Sequence, residues 1–183
     1  MCAVSARLIR YRAAFVKRLA AAAGPIHREF SGGADELELQ YLTVSTVRDP
    51  FGPEREIFYN VCEHQEAHRR AEIESGQCLT GAHKDDIAIS INGRSARTFG
   101  SQGQKRTAAL SIKLAEREIF LQETGEYPVL LLDDVLSELD AKRQDYVLNR
   151  IGAGQTLITC CEDDGIAKRT GARVLTISGG RLI

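Results

Sequence analysis

The sequence lacks several features that define common protein classes. Apolar runs such as Val129-Leu130-Leu131-Leu132 are far too short to cross a bilayer, so no membrane role is expected. Charge of neither sign is in excess. Lys and Arg number 24 against 25 Asp and Glu, a formal net charge of −1. That excludes a wholly basic nucleic-acid coat but leaves room for a local basic patch. Aromatics make up 6% and tryptophan is absent, which weakens a reading based on stacking against single strands. No repeat and no low-complexity segment is present. Met1 to Leu8 has no long apolar stretch, so no signal peptide is expected. The five cysteines, Cys2, Cys62, Cys78, Cys160 and Cys161, form no CxxC pair. Adjacent Cys160-Cys161 is poor geometry for a structural disulfide. The set reads as reduced thiols of a cytoplasmic protein. A zinc centre needs a second ligand pair beside His64 and His68. Those two stand at i and i+4 among Glu63, Glu66, Arg69 and Arg70, and read as part of a solvated helix face.

What is present is a globular composition. Hydrophobic residues are 43% and charged residues 27% of a 183-residue chain, enough for one domain or one and a half. Leu8, Tyr11, Phe15 and Leu19 recur at helical spacing, predicting a helix from Ser5 to about Ala23 that stops at Gly24-Pro25. Its other face is basic, with Arg7, Arg10, Lys17 and Arg18. Ser31-Gly32-Gly33 predicts a turn. Leu37, Leu39 and Tyr41 then alternate as a strand. A second helix is predicted from Glu54 to Ser75, ending at Gly76. Ile87 to Ile91 alternates and meets Asn92-Gly93, a hairpin signal whose return arm runs from Ser95 to Phe99. Gly100 to Gln104 opens a long helix with a stripe of Ala108, Ile112, Ala115 and Ile119, ending near Thr124-Gly125. Val129 to Leu132 reads as a central parallel strand buried on both faces. A helix through Tyr146 and Leu148, a strand from Gln155 to Thr159, a short helix from Asp164 to Arg169, a strand from Arg173 to Ile177 and a last strand at Arg181 to Ile183 follow. Strands alternating with helices after residue 128 predict an α/β sheet.

Two places carry chemistry. Asp133 and Asp134 emerge at the C-terminal end of an apolar strand, the edge where open α/β sheets bind ligands. Two adjacent charges there suit Mg²⁺, which takes one or two carboxylates plus substrate phosphates. They also suit a helix N-terminus, where Asp is favourable. At Gly100 to Gln104, Ser101 is placed as an N-cap and Gly103 permits close backbone approach. Free N–H groups there make an anion site, or simply an ordinary capped helix.

The order of these features is more specific than either alone. Gly100-Ser101-Gln102-Gly103-Gln104, then the strand Val129 to Asp134, then Ser137-Glu138-Leu139-Asp140, resembles the signature loop, Walker B strand and D-loop of the ABC-type ATPases, in their SMC-like branch. With Gly81-Ala82-His83-Lys84-Asp85-Asp86 and the segment from Arg7 through Ile26-His27 to Leu39, the chain resembles the RecF family of recombination mediators over nearly its whole length. The match is weakest between Arg48 and Ile73.

That resemblance implies a fold: an α/β C-terminal half of an ABC/SMC-like ATPase head. Residues 1–124 would form a helical and hairpin signature lobe, and 125–183 the C-terminal part of the ATPase sheet. It implies that Ser101, Gln102, Gly103 and Gln104 contact the γ-phosphate of ATP held by an opposite subunit. Asp133 would hold Mg²⁺ through water. Asp134 would stand in place of the usual Glu that orients the attacking water, one methylene shorter. Ser137 and Asp140 would form a D-loop working across a dimer. His83, Lys84, Asp85 and Asp86 would serve DNA binding or nucleotide sensing, or an ion-paired turn. Arg7, Arg10, Arg12, Lys17 and Arg18 would meet DNA phosphates, or solvent. The family's implied partners are gapped or junction DNA, a second copy joined through ATP, and mediator proteins such as RecR, in recombinational repair and the SOS response.

Two departures stand out. Thr159-Cys160 replaces the switch His of many ABC ATPases, and neighbouring Glu162 and Asp163 have no assigned role. No G-x-x-x-x-G-K-[ST] loop occurs, so the chain looks like a C-terminal half separated from its phosphate loop and is expected to be inactive as an ATPase alone. Its sheet is expected to expose apolar edges. The competing readings are an SMC-like head shorn of its heptad arms and a non-enzymatic DNA- or protein-interaction module.

Overall fold

A computed structural model describes residues 1–161 and 165–183. Glu162, Asp163 and the expected helix start at Asp164 lie outside the described residues. The chain divides into two units, Met1–Ile119 and Phe120–Ile183.

In the first unit, helix α1 (Cys2–Phe30) continues past the Gly24-Pro25 pair that should have ended it. Pro25 removes one i→i−4 hydrogen bond at roughly 3 kcal/mol. The turn beyond it buries Ile26 and Phe30, each contributing about 1.5–3 kcal/mol. Burial therefore offsets the break. The helix stops at Ser31 to Gly33, whose N–H groups reach the carbonyls of His27, Glu29 and Arg28. The buried stripe of α1 is also rotated from the expected one. Ala6, Ile9, Ala13, Val16, Leu19 and Ala23 face the core, whereas Tyr11 is 70% exposed and Phe15 is also exposed. Small side chains lie on this face because strand β1 (Leu37–Leu42) packs on it. A Cβ on Gly24 would stand 3.9 Å from the Leu37 carbonyl.

Helix α2 (Glu54–Ser75) keeps its expected bounds and ends at Gly76, in the left-handed region at φ 64°. Ile57 and Val61 join Ala6, Ile9, Val44, Val47 and Ala82 in one core cluster. Beyond α2, the Glu72 carboxylate accepts from Leu79 N–H, Thr80 N–H and the Thr80 hydroxyl at 2.7–2.9 Å. These bonds, the Thr80 hydroxyl first, hold its pKa below the ordinary carboxylate value.

Strand β2 (Asp86–Ile91) pairs antiparallel with β1, Leu37 opposite Ile91 and Leu42 opposite Asp86. Asn92 and Gly93 turn the chain with positive φ. The return arm is shorter than expected. Strand β3 covers only Arg94–Ser95, and Ala96–Phe99 forms a helical turn, α3. Ala96 is buried there, and Gly100 N–H closes the turn on its carbonyl at 3.1 Å. Helix α4 (Gln102–Thr124) follows. Ala108, Ala115 and Ile119 of its expected stripe are buried with Leu110 and Leu114, while Ile112 is half-buried.

In the second unit, β4 (Leu130–Asp133) pairs parallel with β5 (Thr156–Thr159), Leu130 opposite Thr156 and Asp133 opposite Thr159. Helix α5 (Ala141–Arg150) connects them. Burial on both faces of β4 is not what the structure shows. Leu130 and Leu132 are buried, but Leu131 is 70% exposed, and Val129 and Leu157 are exposed as well. Two strands with one connecting helix cover a single face. Helix α6 (Ile166–Thr170) is followed by a small hairpin of β6 (Ile177–Ser178) and β7 (Arg181–Leu182). The expected strand from Arg173 shrinks to Ile177–Ser178. Val174 and Leu175 are exposed and pair with no strand among the described residues. Among those residues no helix is long and apolar enough to cross a membrane.

Candidate functional site

The loop before α4 is built as a reciprocal cap. Gln104 N–H donates to Ser101 Oγ at 3.2 Å, and Ser101 N–H donates to Gln104 Oε1 at 3.1 Å. Each side chain thereby satisfies a backbone donor of the other. Gln102 and Gly103 lie exposed at the tip. Gly100 is a steric requirement, since a Cβ there would come within 2.6 Å of the Ala96 carbonyl oxygen. The loop is held from two directions. Gln104 Nε2 donates to both oxygens of Asp35, at 3.2 and 3.3 Å. Asp35 Oδ1 also accepts Asn92 Nδ2 at 2.8 Å, so one carboxylate joins the hairpin turn to the loop. From beneath, the Gly103 carbonyl accepts the Thr107 hydroxyl at 2.8 Å, and the Thr107 carbonyl accepts the Ser111 hydroxyl at 2.7 Å. Ser111 Oγ, its proton thus committed, accepts from Nδ1 of fully buried His27 at 3.2 Å. A concavity of about 400 Å³ opens beside the loop, lined by Asn92, Arg94, Phe99, Gly100 and Gln104. The sequence names Asn92 only as a hairpin turn and His27 only within the segment that resembles the family, and gives no sign of Asp35 or Arg94 at this site. The N-cap at Ser101 is legible from the sequence, and the three-residue spacing of Ser101 and Gln104, which fits a capping box, adds the reciprocal bond.

In the second unit the two carboxylates stand at the end of β4. The Thr159 hydroxyl donates to Asp133 Oδ1. Asp134 N–H donates to Thr159 Oγ at 3.0 Å and to its carbonyl at 3.2 Å. Asp134 takes the left-handed conformation, φ 52°, unusual for a non-glycine residue and frequent where strain serves a site. The Ser137 hydroxyl reaches Asp134 Oδ1 at 2.7 Å and its carbonyl at 2.8 Å. Asp140 caps α5 through Arg143 N–H at 3.0 Å and pairs with the Arg143 guanidinium at 3.2 Å. Asp133 and Asp134 are both exposed. Thr159 occupies one oxygen of Asp133, and the other has no hydrogen-bond partner among the described residues. That donor set fits a hard cation carried mainly by water and phosphate. No cluster of three or more His, Cys, Asp or Glu is placed to hold a metal among the described residues.

The four-residue motif His83 to Asp86 splits. The Asp85 side chain is 3% exposed and pairs with Arg12 Nη1 at 2.9 Å. It also accepts the Tyr41 hydroxyl and, at 2.7 Å, the Thr43 hydroxyl. Arg12 Nη1 donates to the Ala82 carbonyl as well. Asp85 is thus the centre of an ion-paired turn. Burial, reinforced by Asp85, pushes the Tyr41 phenol pKa above its ordinary value. His83, Lys84 and Asp86 remain exposed. Tyr11, Phe15, Tyr41, Asp85 and Ile87 line an apolar groove of about 500 Å³. On the basic face, Arg7 and Arg10 share Glu54 at 3.6 and 3.7 Å, and Lys17 sits 5.5 Å from the Phe51 ring centre.

The fold and these loops define the class: an ABC-type ATPase-like α/β protein. No family model matches the chain. The family it matches is RecF. It is 44% identical to the DNA replication and repair protein RecF of Bacillus subtilis over 186 residues, covering 98% of this chain and 49% of that one. The RecF of Listeria monocytogenes is 44% identical over 169 residues, covering 91% and 45%. A solved structure of the recombination mediator protein RecF-ATPrS in the RecFOR pathway superposes with a TM-score of 0.84 at 34% identity, covering 99% of this chain and 47% of that one. A second, of RecF-ATP, gives 0.74 at 36% identity. The chain spans about half the length of the curated relatives it matches.

Proposed function

We propose that this chain is the signature-loop and Walker B portion of a RecF-like recombination mediator, and that it works only when joined to a phosphate-loop portion. The observation that carries this reading is the loop at Gly100 to Gln104. It is capped, braced on Asp35 and open at its tip, in a chain matched by a RecF-ATPrS structure over 99% of its length. In that role Ser101, Gln102, Gly103 and Gln104 present a hydroxyl, an amide and backbone N–H groups to the γ-phosphate of ATP bound by the opposite subunit. Asp133 would hold Mg²⁺, which when bound neutralises phosphate charge. Asp134 orients the attacking water, and its bond from Ser137 fixes the carboxylate in place. Asp140 and Ser137 belong to the loop crossing the dimer. ATP closes two copies together, and DNA with an unpaired gap or junction is the substrate, engaged by Arg7, Arg10 and Lys17, with His83, Lys84 and Asp86 as further contacts. RecR-type mediators, the SOS response and a cytoplasmic site of action complete the proposal.

Mixing this chain with a separately produced phosphate-loop half tests it. ATP-dependent assembly is expected, lost in Ser101→Arg, while the chain alone shows no ATPase activity. Assembly indifferent to Ser101→Arg, or magnesium-dependent hydrolysis by the chain alone, overturns the reading.

A further inference from the structure

Three polar side chains are buried where apolar ones would fill the space at less cost. His27, on the last turn of α1, and Ser111, on α4, are fully buried, and Thr107 is 1% exposed. Burying polar groups is unfavourable unless their hydrogen bonds are made. What such groups add is direction. His27 Nδ1 donates to Ser111 Oγ at 3.2 Å, across 84 positions of sequence. The Ser111 proton is committed to the Thr107 carbonyl at 2.7 Å, so the bond has one sense and Nδ1 carries the proton. The Thr107 hydroxyl in turn reaches the Gly103 carbonyl at 2.8 Å. Residues 103, 107 and 111 lie on one face of α4, and the series ends at the loop tip. The same stretch of chain holds α4 a second time. Gln104 Nε2 meets Asp35 at 3.2 and 3.3 Å. Gln104 and Ser111 are two helical turns apart, about 10.5 Å along the axis. His27 and Asp35 are themselves joined through Ser31. Its N–H donates to the His27 carbonyl at 2.8 Å, and its Oγ accepts the Asp35 N–H at 3.2 Å. The bonds therefore close a ring: His27 to Ser111, along α4 to Gln104, across to Asp35, and back through Ser31. One tether would let α4 slide or tilt. Two tethers fix its place along its own axis.

We propose that His27 is a positioning residue for the loop Gly100 to Gln104. It sets the height of α4 against the end of α1, so that Gln104 meets Asp35 and the exposed tip at Gln102 and Gly103 is held in place. The inference rests on the phosphate-binding reading of this loop for what the tip meets, and on the hydrogen-bond ring for how the tip is held. His27 is fully buried and acts through Ser111. The donor at Nδ1 is the part of the ring that matters. An Asn side chain places its N–H one bond beyond Cγ, as His does at Nδ1. A Gln side chain places it two bonds beyond, as at Nε2. His27→Asn therefore keeps the bond to Ser111, and His27→Gln loses it.

The test uses the full chain carrying His27→Asn, His27→Gln or Ser111→Ala. Ser111→Ala removes the acceptor with little change in volume and serves if a His27 variant does not fold. Histidine side-chain NMR of the unsubstituted chain should show His27 protonated at Nδ1. Amide exchange is then followed at Ser101, Gln104 and Lys105, whose N–H groups close the first turn, with the β1–β2 ladder as reference. Loss of the tether should accelerate exchange at these three amides on the order of tenfold in His27→Gln and Ser111→Ala, and by less than about threefold in His27→Asn. A role in general packing would move the ladder amides and would not separate Asn from Gln. In a second arm each variant is mixed with the separately produced phosphate-loop half. ATP-dependent assembly should weaken on the order of tenfold in His27→Gln and recover in His27→Asn, with Ser101→Arg as control. Equal loop exchange in His27→Asn and His27→Gln, acceleration confined to the ladder, an Nδ1 without its proton, or assembly that Ser101→Arg abolishes and His27→Gln leaves unchanged each overturn the proposal. Assembly indifferent to Ser101→Arg overturns the signature-loop reading instead, and loop exchange alone then decides the role of His27.

Discussion

Replacing Asp85 tests whether the motif His83 to Asp86 is a structural turn at its centre. The carboxylate is almost fully buried and accepts from Arg12, Thr43 and Tyr41. Hydrogen bonds to a charged group contribute about 1.5–3 kcal/mol each, but they are not additive. Breaking a fully buried ion pair costs about 3–5 kcal/mol. Arg12 is 41% exposed, so its guanidinium regains water when the partner is lost, and the lower end applies. Asp85→Ala is therefore expected to destabilise the chain by about 3 kcal/mol. Asp85→Asn keeps one acceptor oxygen, enough for Tyr41 and Arg12, which share Oδ2, while its amide faces Thr43, whose hydroxyl can accept instead of donate; it should cost less, about 2 kcal/mol. Urea unfolding followed by far-UV circular dichroism measures both. Arg12→Ala in a double-mutant cycle should then add little to Asp85→Ala, because the two share one interaction. A loss below about 1 kcal/mol for Asp85→Ala, or additive effects of the two changes, would refute the reasoning.

Three further outcomes follow from the geometry. Gly100→Ala forces a Cβ against the Ala96 carbonyl and should cost about 1–3 kcal/mol as overpacking; amide exchange at Ser101 and Gln104 should accelerate, and unchanged protection there would count against the steric argument. Leu131→Lys lies on the exposed face of β4 and should change stability by less than about 0.5 kcal/mol while reducing self-association in sedimentation runs; a large destabilisation would show that this face is already covered. The Tyr41 phenol has its pKa raised in the folded state above the ordinary 10.0. The folded chain then holds the proton more tightly than the unfolded chain, so this contribution is complete below about pH 10 and is lost as pH rises beyond it. Tyr41→Phe should flatten that alkaline loss in pH-dependent unfolding, and an identical slope in both proteins would contradict it.

The sequence was most readable where local chemistry and tertiary packing agree. Helix α2 begins after Pro53 and stops at Gly76, whose left-handed φ only glycine adopts easily, so both ends follow from single residues. Asn92-Gly93 likewise dictates its turn. Misreadings arose where packing overrules local preference. Alanines 6, 13 and 23 carry little hydrophobic weight in a periodic pattern, yet they mark the core face of α1 because a strand lies close against it. Tyr11 and Phe15 looked like core and face outward instead. Pro25 reads as a stop only until the burial of Ile26 and Phe30 is counted. At the candidate site, Ser101, Asp133 and Asp134 were legible from their place between elements. Asp35 and Thr159 were not, since their roles depend on contacts with residues 69 and 26 positions away.

The brace between Gln104 and Asp35 sets a carboxylate against the loop where the proposed phosphate would arrive. In the proposed role, a phosphate arriving at the tip would share the Gln104 NH₂ group with that carboxylate, two anions drawing on its two N–H bonds. Asp35 also holds Asn92 at the hairpin turn. Under that proposal, occupancy of the loop would be felt at a turn 12 residues upstream of Gln104 through the one carboxylate that both share.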